Sequence, residues 1–323
     1  MYDRGIIRSC TFDVPTICIG NLSVGGTGKT PHTEYLIRLL QEQGYRVAVL
    51  SRGYRRKTKG FVLADLQSTA SDIGDEPLQM YRKFKDLTVA VDADRCEGIS
   101  ILMKQEKRPD VILLDDAFQH RKVKAGLNIL LTDCKRPYSK DYLMPYGRLR
   151  ENRYGSKRTD MVIVTKCQDG TAGKGTANDS DLNLGIRKDQ YLFFSRMKYG
   201  LLSNGLELSR LRDYAVLLVT GIANPRPLED ELSKHTQFKS IHYPDHHSFS
   251  STDIQHIEQE FKSLGGDRRL IITTEKDFTR LSPLLSPTLP LCCLPIEIEI
   301  LNGDNETFNQ IVLDYVRKDS RNC

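Results

Sequence analysis

The sequence predicts an α/β protein: a parallel-sheet domain with helices on both faces, joined by a short β-ribbon to a second, smaller α/β domain. Three observations predict it. Short apolar runs alternate with helix-length amphipathic stretches, as in a parallel sheet covered by helices. The first run leads into a glycine-rich stretch with Lys29-Thr30 and then a helical pattern. A second strand-helix series starts near Tyr214, after a segment without periodicity, and 323 residues leave room for about two domains.

The strands are expected at 15–20, 46–51, 88–91, 110–115, 127–132 and 161–165, each an apolar run bounded by turn residues. Helices are expected at 29–43, where Pro31 suits the first turn, at 75–83, and at 95–106, which sets Ile99, Leu102 and Met103 on one side. Residues 168–189 are rich in Gly, Asp, Asn, Thr and Lys and read as a surface insertion. Gln190 to Leu208 reads as a two-stranded ribbon turning near Ser203-Asn204-Gly205. Strands at 215–220, 237–242 and 270–274 then alternate with helices at 227–234 and 252–263, and the adjacent Cys292-Cys293 reads as buried strand. The expected division is a domain over 1–189, a linker ribbon over 190–213 and a smaller domain over 214–323, with no internal repeats.

Composition narrows the function classes. Apolar content of 39% and charged content of 28% fit a globular protein with real cores. The net charge of +5 suits anionic ligands without requiring nucleic acid. Eight cysteines without a C-x-x-C pair read as reduced thiols. No run approaches the ~18 apolar residues of a membrane-spanning helix, and Met1 to Thr11 is too short and too charged for a targeting segment.

The chemistry concentrates where predicted strands end. Ser23, Val24, Gly25, Gly26, Thr27 and Gly28 form a loop whose backbone N–H groups can wrap an anion, ahead of a helix N-terminus. Lys29 would reach the β- and γ-phosphates, and the Thr30 hydroxyl would ligate Mg²⁺. This is a P-loop, and the first domain is accordingly of the P-loop NTPase type, although Ser23 stands where the strict pattern has glycine. Val111-Ile-Leu-Leu-Asp115-Asp116 ends in two carboxylates, a usual Mg²⁺ position beside a P-loop. His120 follows, with a structural and a functional reading in balance. Asp75 and Glu76 open a helix, either as a cap for its dipole or as carboxylates aimed at the site, and local sequence does not choose.

Two further segments stand out. Ser51 to Gly60 carries Arg52, Tyr54, Arg55, Arg56, Lys57 and Lys59 and reads either as a solvated basic loop or, at a predicted strand end, as a contact for phosphate or an anionic head group; RNA would ask for more aromatic platforms. Tyr243-Pro-Asp245-His246-His247 lies within a stretch, 235 to 256, that holds five of the seven histidines. It lacks finger-type zinc spacing and is read as a His-Asp element facing the phosphate loop across a cleft. At Val162 to Gln168, Thr165 and Gln168 occupy the two defining positions of the N-K-x-D motif of GTPases, so ATP is expected rather than GTP.

Together the stretches GNLSVGGTGKTP, LSRGYRRKTKG, GDEP, DADR, ILLDDAFQHRKV, GRLRE, VTKC, YPDHHSF and TTEKD, spanning about 15 to 277, closely resemble the tetraacyldisaccharide 4′-kinase family of Gram-negative bacteria. The resemblance implies transfer of the ATP γ-phosphoryl group to the 4′-hydroxyl of a tetraacylated disaccharide 1-phosphate in lipid A biosynthesis. It implies Asp75 as catalytic base assisted by His246, Asp115 and Asp116 at the metal, and Arg52, Tyr54, Glu76, Arg95, His120, Arg150, Glu151 and Asp245 binding substrate or supporting the site. It also makes Ser23 ordinary, since the family's loop carries Ser or Thr there. Ala117 replaces a family glycine, which is tolerable if φ is negative. The family carries an additional N-terminal segment that docks on the inner membrane, and Met1-Tyr2-Asp3-Arg4-Gly5 matches the interior of that region. The expected location is the cytoplasmic face of the inner membrane, held peripherally, or the cytoplasm if that segment is truly absent. The alternative is a P-loop nucleotide hydrolase acting as a switch or metallochaperone, which would need a guanine-reading motif that is broken here.

Overall fold

The computed structural model describes residue 2, residues 7–167 and residues 182–320. In chain order the elements are β1 (Thr16–Asn21), α1 (Lys29–Glu42), β2 (Val47–Ser51), β3 (Val62–Leu63), α2 (Ala70–Ile73), α3 (Asp75–Lys83), β4 (Thr88–Val91), α4 (Arg95–Leu102), β5 (Val111–Asp115), β6 (Leu127–Asp133), β7 (Met161–Thr165) and β8 (Tyr191–Tyr199). They continue with β9 (Ala215–Thr220), α5 (Arg226–Ser233), β10 (Phe238–His242), α6 (Ser251–Ser263), β11 (Arg269–Thr274), α7 (Glu275–Leu281), β12 (Leu291–Leu294), β13 (Ile296–Ile300) and α8 (Asn305–Ser320).

The chain forms two compact units, Met1–Lys198 with Ile298–Cys323, and Tyr199–Glu297. In the first, a nine-stranded sheet runs β13-β8-β7-β6-β1-β5-β2-β4-β3. The pairs from β8 through β4 are parallel, and only the two-residue β3 pairs antiparallel with β4. The side chains of β1 alternate between two cores, as the period of a strand requires. Ile17 and Ile19 join the core with Leu36, Ile37 and Leu40 of α1, while Cys18 joins the other with Ile99 and Leu102 of α4. Register sets Ile19 beside Asp115 and Asn21 beside Leu131, so the carboxyl ends of β1, β5 and β6 share one edge.

The last helix corrects the expected division. The smaller domain expected over 214–323 includes residues 298–323, yet α8 packs in the first unit. Phe308, Val312 and Val316 form an apolar stripe buried with Ile17 and Ile129, and the Tyr315 hydroxyl donates to the Thr16 carbonyl at 3.1 Å. The connection is two-stranded, but its partners differ from the expected ribbon. The expected turn does occur at 203–205, where Gly205 N–H donates to Leu202 O at 2.7 Å and Leu202 N–H to Leu206 O at 3.0 Å, but Tyr191–Tyr199 pairs in parallel with β7. Its other neighbour is β13, by which the chain returns. Leu301 N–H donates to Phe194 O at 2.8 Å, and Gly200 N–H to Pro295 O at 3.0 Å, partner numbers falling as indices rise, as in an antiparallel pair.

In the second unit the four strands run β10-β9-β11-β12, all parallel. Val216 and Leu218 pack with Leu228 and Leu232 of α5. Leu217 and Val219 face the opposite core with Ile257 and Phe261 of α6. Cys292 and Cys293 lie in buried β12 as expected, and all seven cysteines among the described residues are free.

Candidate active site

The loop after β1 turns into α1 through Gly28, whose φ of 87° lies in the left-handed region. A Cβ there would also stand 2.6 Å from Met197 Cε. No side chain caps α1 and its first turn holds no acid, so its N–H groups and dipole are left for an anion. The loop is braced from several directions. Asn21 Nδ2 donates to Thr27 Oγ1 at 2.7 Å. The Thr165 hydroxyl donates to the Thr27 carbonyl at 2.9 Å. His32 Nδ1 donates to the Gly28 carbonyl at 2.7 Å, while its Nε2 pairs with Ser195 Oγ at 3.0 Å. Thr165, at the position where GTPases carry the Asn of their motif, thus supports the loop; Gln168 lies outside the described residues.

Beside the loop, β5 delivers Asp115 and Asp116 in different environments. Asp115 is 1% exposed and accepts from Thr33 Oγ1 at 3.2 Å and Ser51 Oγ at 3.4 Å. Burial pushes its carboxyl up to about 7, and the charges of Glu76 and Asp116 push the same way against Lys29. Asp116 has φ 44° and is gripped by Arg150, Nη2 to Oδ1 at 2.7 Å and Nη1 to Oδ2 at 3.2 Å. Lys29 Nζ lies 3.8 Å from its Oδ2. Burial works to raise Asp116, but the Arg150 hydrogen bonds and the charges of Lys29, Arg150 and Arg95 outweigh it and hold the carboxyl low. The positive φ falls on Asp116 and not on Ala117, so the methyl replacing a glycine is accommodated.

Cations surround this pair. Arg95 is buried, donates to the carbonyls of Asp92 at 3.1 Å and Ala93 at 3.2 Å, and keeps its Nε without a hydrogen-bond partner. Its affinity for a proton is lowered first by burial, with Asp115 opposing and Arg52 adding to the effect. His120 is likewise lowered by burial and by the charges of Arg95 and Arg52 among others, and its Nε2 is buried without a partner. It lines a cavity of about 400 Å³ together with Phe118, Arg121, Lys124 and Arg158. Glu151 pairs with Arg158 at 2.9 Å and accepts from Gln119 Nε2 at 3.0 Å.

Asp75 and Glu76 begin α3 directly after Gly74, which has φ 92°. A Cβ at Gly74 would meet the Tyr54 carbonyl at 3.0 Å, so the helix start lies against the chain following β2. Glu76 is near enough for its charge to act on Asp115, and Asp75 precedes it at the helix start. Tyr54 is 63% exposed, with Arg55 5.5 Å from its ring centre.

Asp245 and His246 belong to the second unit. His246 has φ 62°, and its Nε2 lies 3.1 Å from Lys276 Nζ and 3.7 Å from Asp245 Oδ2. Lys276 also holds Asp245 at 2.9 Å; burial raises that carboxyl, and Lys276 and His246 bring it below its ordinary value. The four remaining histidines of the stretch are engaged separately: His247 with Asp253 at 3.0 Å, His242 with Glu229 at 3.1 Å, His235 with Glu231 at 3.4 Å and His256 with Glu260 at 3.7 Å. Among the described residues no group of three or more His, Cys, Asp or Glu converges as a metal cage.

The first unit therefore gathers Lys29, Glu76, Arg95, Asp115, Asp116 and Arg150 into one interacting group, with Arg52 and His120 coupled to it through Arg95. Asn21, Gln119 and Arg158 were not singled out as site residues, nor was Lys276. Asn21, Gln119 and Lys276 lie in the motifs GNLSVGG, AFQH and TTEKD, and Arg158 in the basic segment 148–158, but none of the four is chemically unusual by itself.

A sequence model of the tetraacyldisaccharide-1-P 4′-kinase family matches residues 1–317. The chain belongs to that family. It is similar to the tetraacyldisaccharide 4′-kinase of Bacteroides thetaiotaomicron, 51% identical over 342 residues covering 100% of this chain and 90% of the relative. The same-named protein of Parabacteroides distasonis is 49% identical over 334 residues, covering 98% of this chain and 89% of the relative. In fold the family member described here is similar to the crystal structure of LpxK from Aquifex aeolicus in complex with ATP, with TM-score 0.76 and 27% identity over 98% of this chain and 92% of that one. The expected fold class, a P-loop-type α/β sheet domain with a smaller α/β domain, is thus borne out.

Proposed function

We propose that this chain transfers the γ-phosphoryl group of ATP to the 4′-hydroxyl of a tetraacyl disaccharide 1-phosphate, the kinase step of lipid A biosynthesis. The observation that carries the reading is the meeting, on one sheet edge, of an uncapped helix N-terminus bearing Lys29 with the unlike carboxylates Asp115 and Asp116. The family to which the chain belongs supplies the acceptor.

The backbone of residues 23–28 and the α1 dipole would hold the triphosphate, with Lys29 neutralising charge as the bond to the γ-phosphorus loosens. Asp75 would take the proton of the 4′-hydroxyl as its oxygen bonds the γ-phosphorus and the bond to the β-γ bridging oxygen breaks, leaving ADP. His246, held by Lys276 and near Asp245, would take the assisting role that the family resemblance gives it. Arg95, Arg150 and Arg52 would steady negative charge. The cavity beside His120, lined by Arg121, Lys124 and Arg158, has the charge to receive an anionic head group.

Mg²⁺ fits the residues present. It favours hard oxygen donors and, in nucleotide sites, takes one or two carboxylates and leaves its other positions to phosphate and water. Thr30, Asp115 and Asp116 offer such donors, and the reluctance of buried Asp115 to ionise alone marks a place where a cation is favourable. When bound, Mg²⁺ would screen the β- and γ-oxygens and polarise the transferred group.

No helix among the described residues is long and apolar enough to cross a membrane. The proposed location is peripheral, on the cytoplasmic face of the inner membrane where a lipid acceptor is met. The test is label transfer from γ-labelled ATP to a tetraacyl disaccharide 1-phosphate in detergent micelles with Mg²⁺. Labelled bisphosphorylated lipid is the expected product. Nucleotide hydrolysis indifferent to the acceptor would overturn the reading in favour of a switch.

A further inference from the structure

Between β6 and β7 lies a loop that the catalytic reading leaves without a task. Tyr142, Leu143, Met144 and Tyr146 are all exposed, Tyr142 by 70% and Tyr146 by 94%. The loop is firmly built. Asp141 is buried and accepts the N–H groups of Tyr142 at 2.8 Å and Arg148 at 3.2 Å. Arg136 clamps the same carboxylate through Nε at 2.8 Å and Nη2 at 2.9 Å. Within the loop, Leu149 N–H donates to Tyr142 O at 2.9 Å and Met144 N–H to Leu149 O at 3.1 Å. Its base continues into the phosphate loop, since Val24 N–H donates to Arg148 O and Arg150 N–H to Leu22 O, both at 2.7 Å. A braced loop thus holds four large apolar side chains in water at the rim of the candidate site. Contiguous exposed apolar groups of this kind mark an interaction surface.

The surroundings select the occupant. Lys135, Lys140, Arg148 and Arg153 are exposed around the loop in sequence. The two acids of the stretch 134–158, Asp141 and Glu151, are tied to Arg136 and Arg158. Tyrosines flanking aliphatic side chains, with a basic collar behind them, match a bilayer interface: the rings sit at headgroup depth and the cations meet anionic lipid. We propose that residues 142–146 insert into the interface of an anionic lipid bilayer and set the mouth of the phosphate loop against it. That the acceptor resides in that bilayer rests on the function proposed above; the membrane contact itself needs neither acceptor nor nucleotide.

The chain contains no tryptophan, so Tyr146→Trp in the full chain places a sole reporter on the loop. With vesicles of phosphatidylethanolamine and phosphatidylglycerol, its emission is expected to shift to the blue and to be quenched by brominated acyl chains. Unchanged emission while the protein sediments with vesicles would put another surface on the membrane and overturn the proposal. A companion variant, Leu143→Ser with Met144→Ser and Tyr146→Ser, is expected to bind these vesicles at least about tenfold more weakly, ~1.4 kcal/mol, with wild-type melting temperature and ATP affinity. Wild-type vesicle affinity in that variant, or no binding by the wild-type chain, overturns it. So does a lipid-free dimer, seen by sedimentation velocity, that the variant dissolves, because the loop would then join two copies. Loop-dependent vesicle binding without phosphoryl transfer to the acceptor would sink the kinase reading alone.

Discussion

Arg150 holds Asp116 with both arms of its guanidinium, at 2.7 and 3.2 Å, and the same group also donates to the Asn21 side chain. One residue from the β6-β7 segment thereby fixes the end of β5 to the end of β1, on either side of the phosphate loop. The planar fork is what makes the double contact, and an ammonium cannot reproduce it. Arg150→Lys and Arg150→Gln are therefore both expected to lower kcat/KM by about tenfold or more. Removing the hydrogen bonds that hold the Asp116 carboxyl down raises its affinity for protons. The group then stays protonated to higher pH, so the acid limb of the kcat/KM profile moves upward. An acid limb that stays in place in Arg150→Gln would remove Asp116 from the groups that must be ionised.

Asp75 and Lys29 separate chemistry from binding. Asp75→Asn keeps the start of α3 polar and close to its native shape while removing the base, so turnover is expected to fall by ~10²–10⁴ with ATP affinity nearly intact. Lys29→Ala removes a charge that both bound nucleotide and the transition state would feel, so affinity and turnover fall together. Isothermal titration with a non-hydrolysable ATP analogue, set beside steady-state rates, checks the split. Equal losses of ATP affinity in the two variants would contradict the assignment.

His32 gives the protein an acid-sensitive brace under the phosphate loop. Burial lowers its pKa from 6.5 to about 4, the Gly28 carbonyl opposing only in part. The unfolded chain takes up this proton below ~6.5, whereas the folded chain resists until about pH 4. The neutral ring's contribution is complete above the unfolded pKa and drains away as pH falls from 6.5 towards 4, on the order of 3 kcal/mol in all. His32→Gln removes the titration. Urea unfolding at pH 7 and pH 4.5 is expected to show a smaller pH-dependent loss of stability in the variant than in the wild type. Identical losses would show that the ring is not held neutral.

Most of the fold was legible because each parallel strand is a short apolar run and each helix an amphipathic stretch. The strands expected at 88–91, 161–165 and 215–220 occur with those bounds. The phosphate loop was legible for the same local reason: glycines, Lys29 and Thr30 are contiguous. What escaped depends on register and return paths. The Phe308, Val312 and Val316 stripe of α8 is visible as a pattern, but nothing local says that it packs beside Ile17 rather than in the nearer unit. The partner of Tyr191–Tyr199 is hidden for the same reason, since the segment has strand composition whether its partner comes from 200–208 or from β13. Arg150 and Asp116 are 34 residues apart, and His246 and Lys276 are 30 apart, so their pairing emerges only from the folded chain.

Gly28 offers a test of the loop's shape that leaves its charged groups in place. Its φ of 87° is strained for any residue with a Cβ, costing about 1–2 kcal/mol, and the added atom would lie 2.6 Å from Met197 Cε. The second conflict involves the end of a flexible side chain and can be relieved; the first cannot. Gly28→Ala is therefore expected to weaken ATP binding by roughly tenfold or more, since 1.4 kcal/mol corresponds to a factor of ten. Adding Met197→Ala should restore only part of that loss, because the backbone strain persists. Full rescue in the double variant would assign the whole effect to the Met197 contact. Wild-type ATP affinity in Gly28→Ala would show that the left-handed turn is not required for nucleotide binding.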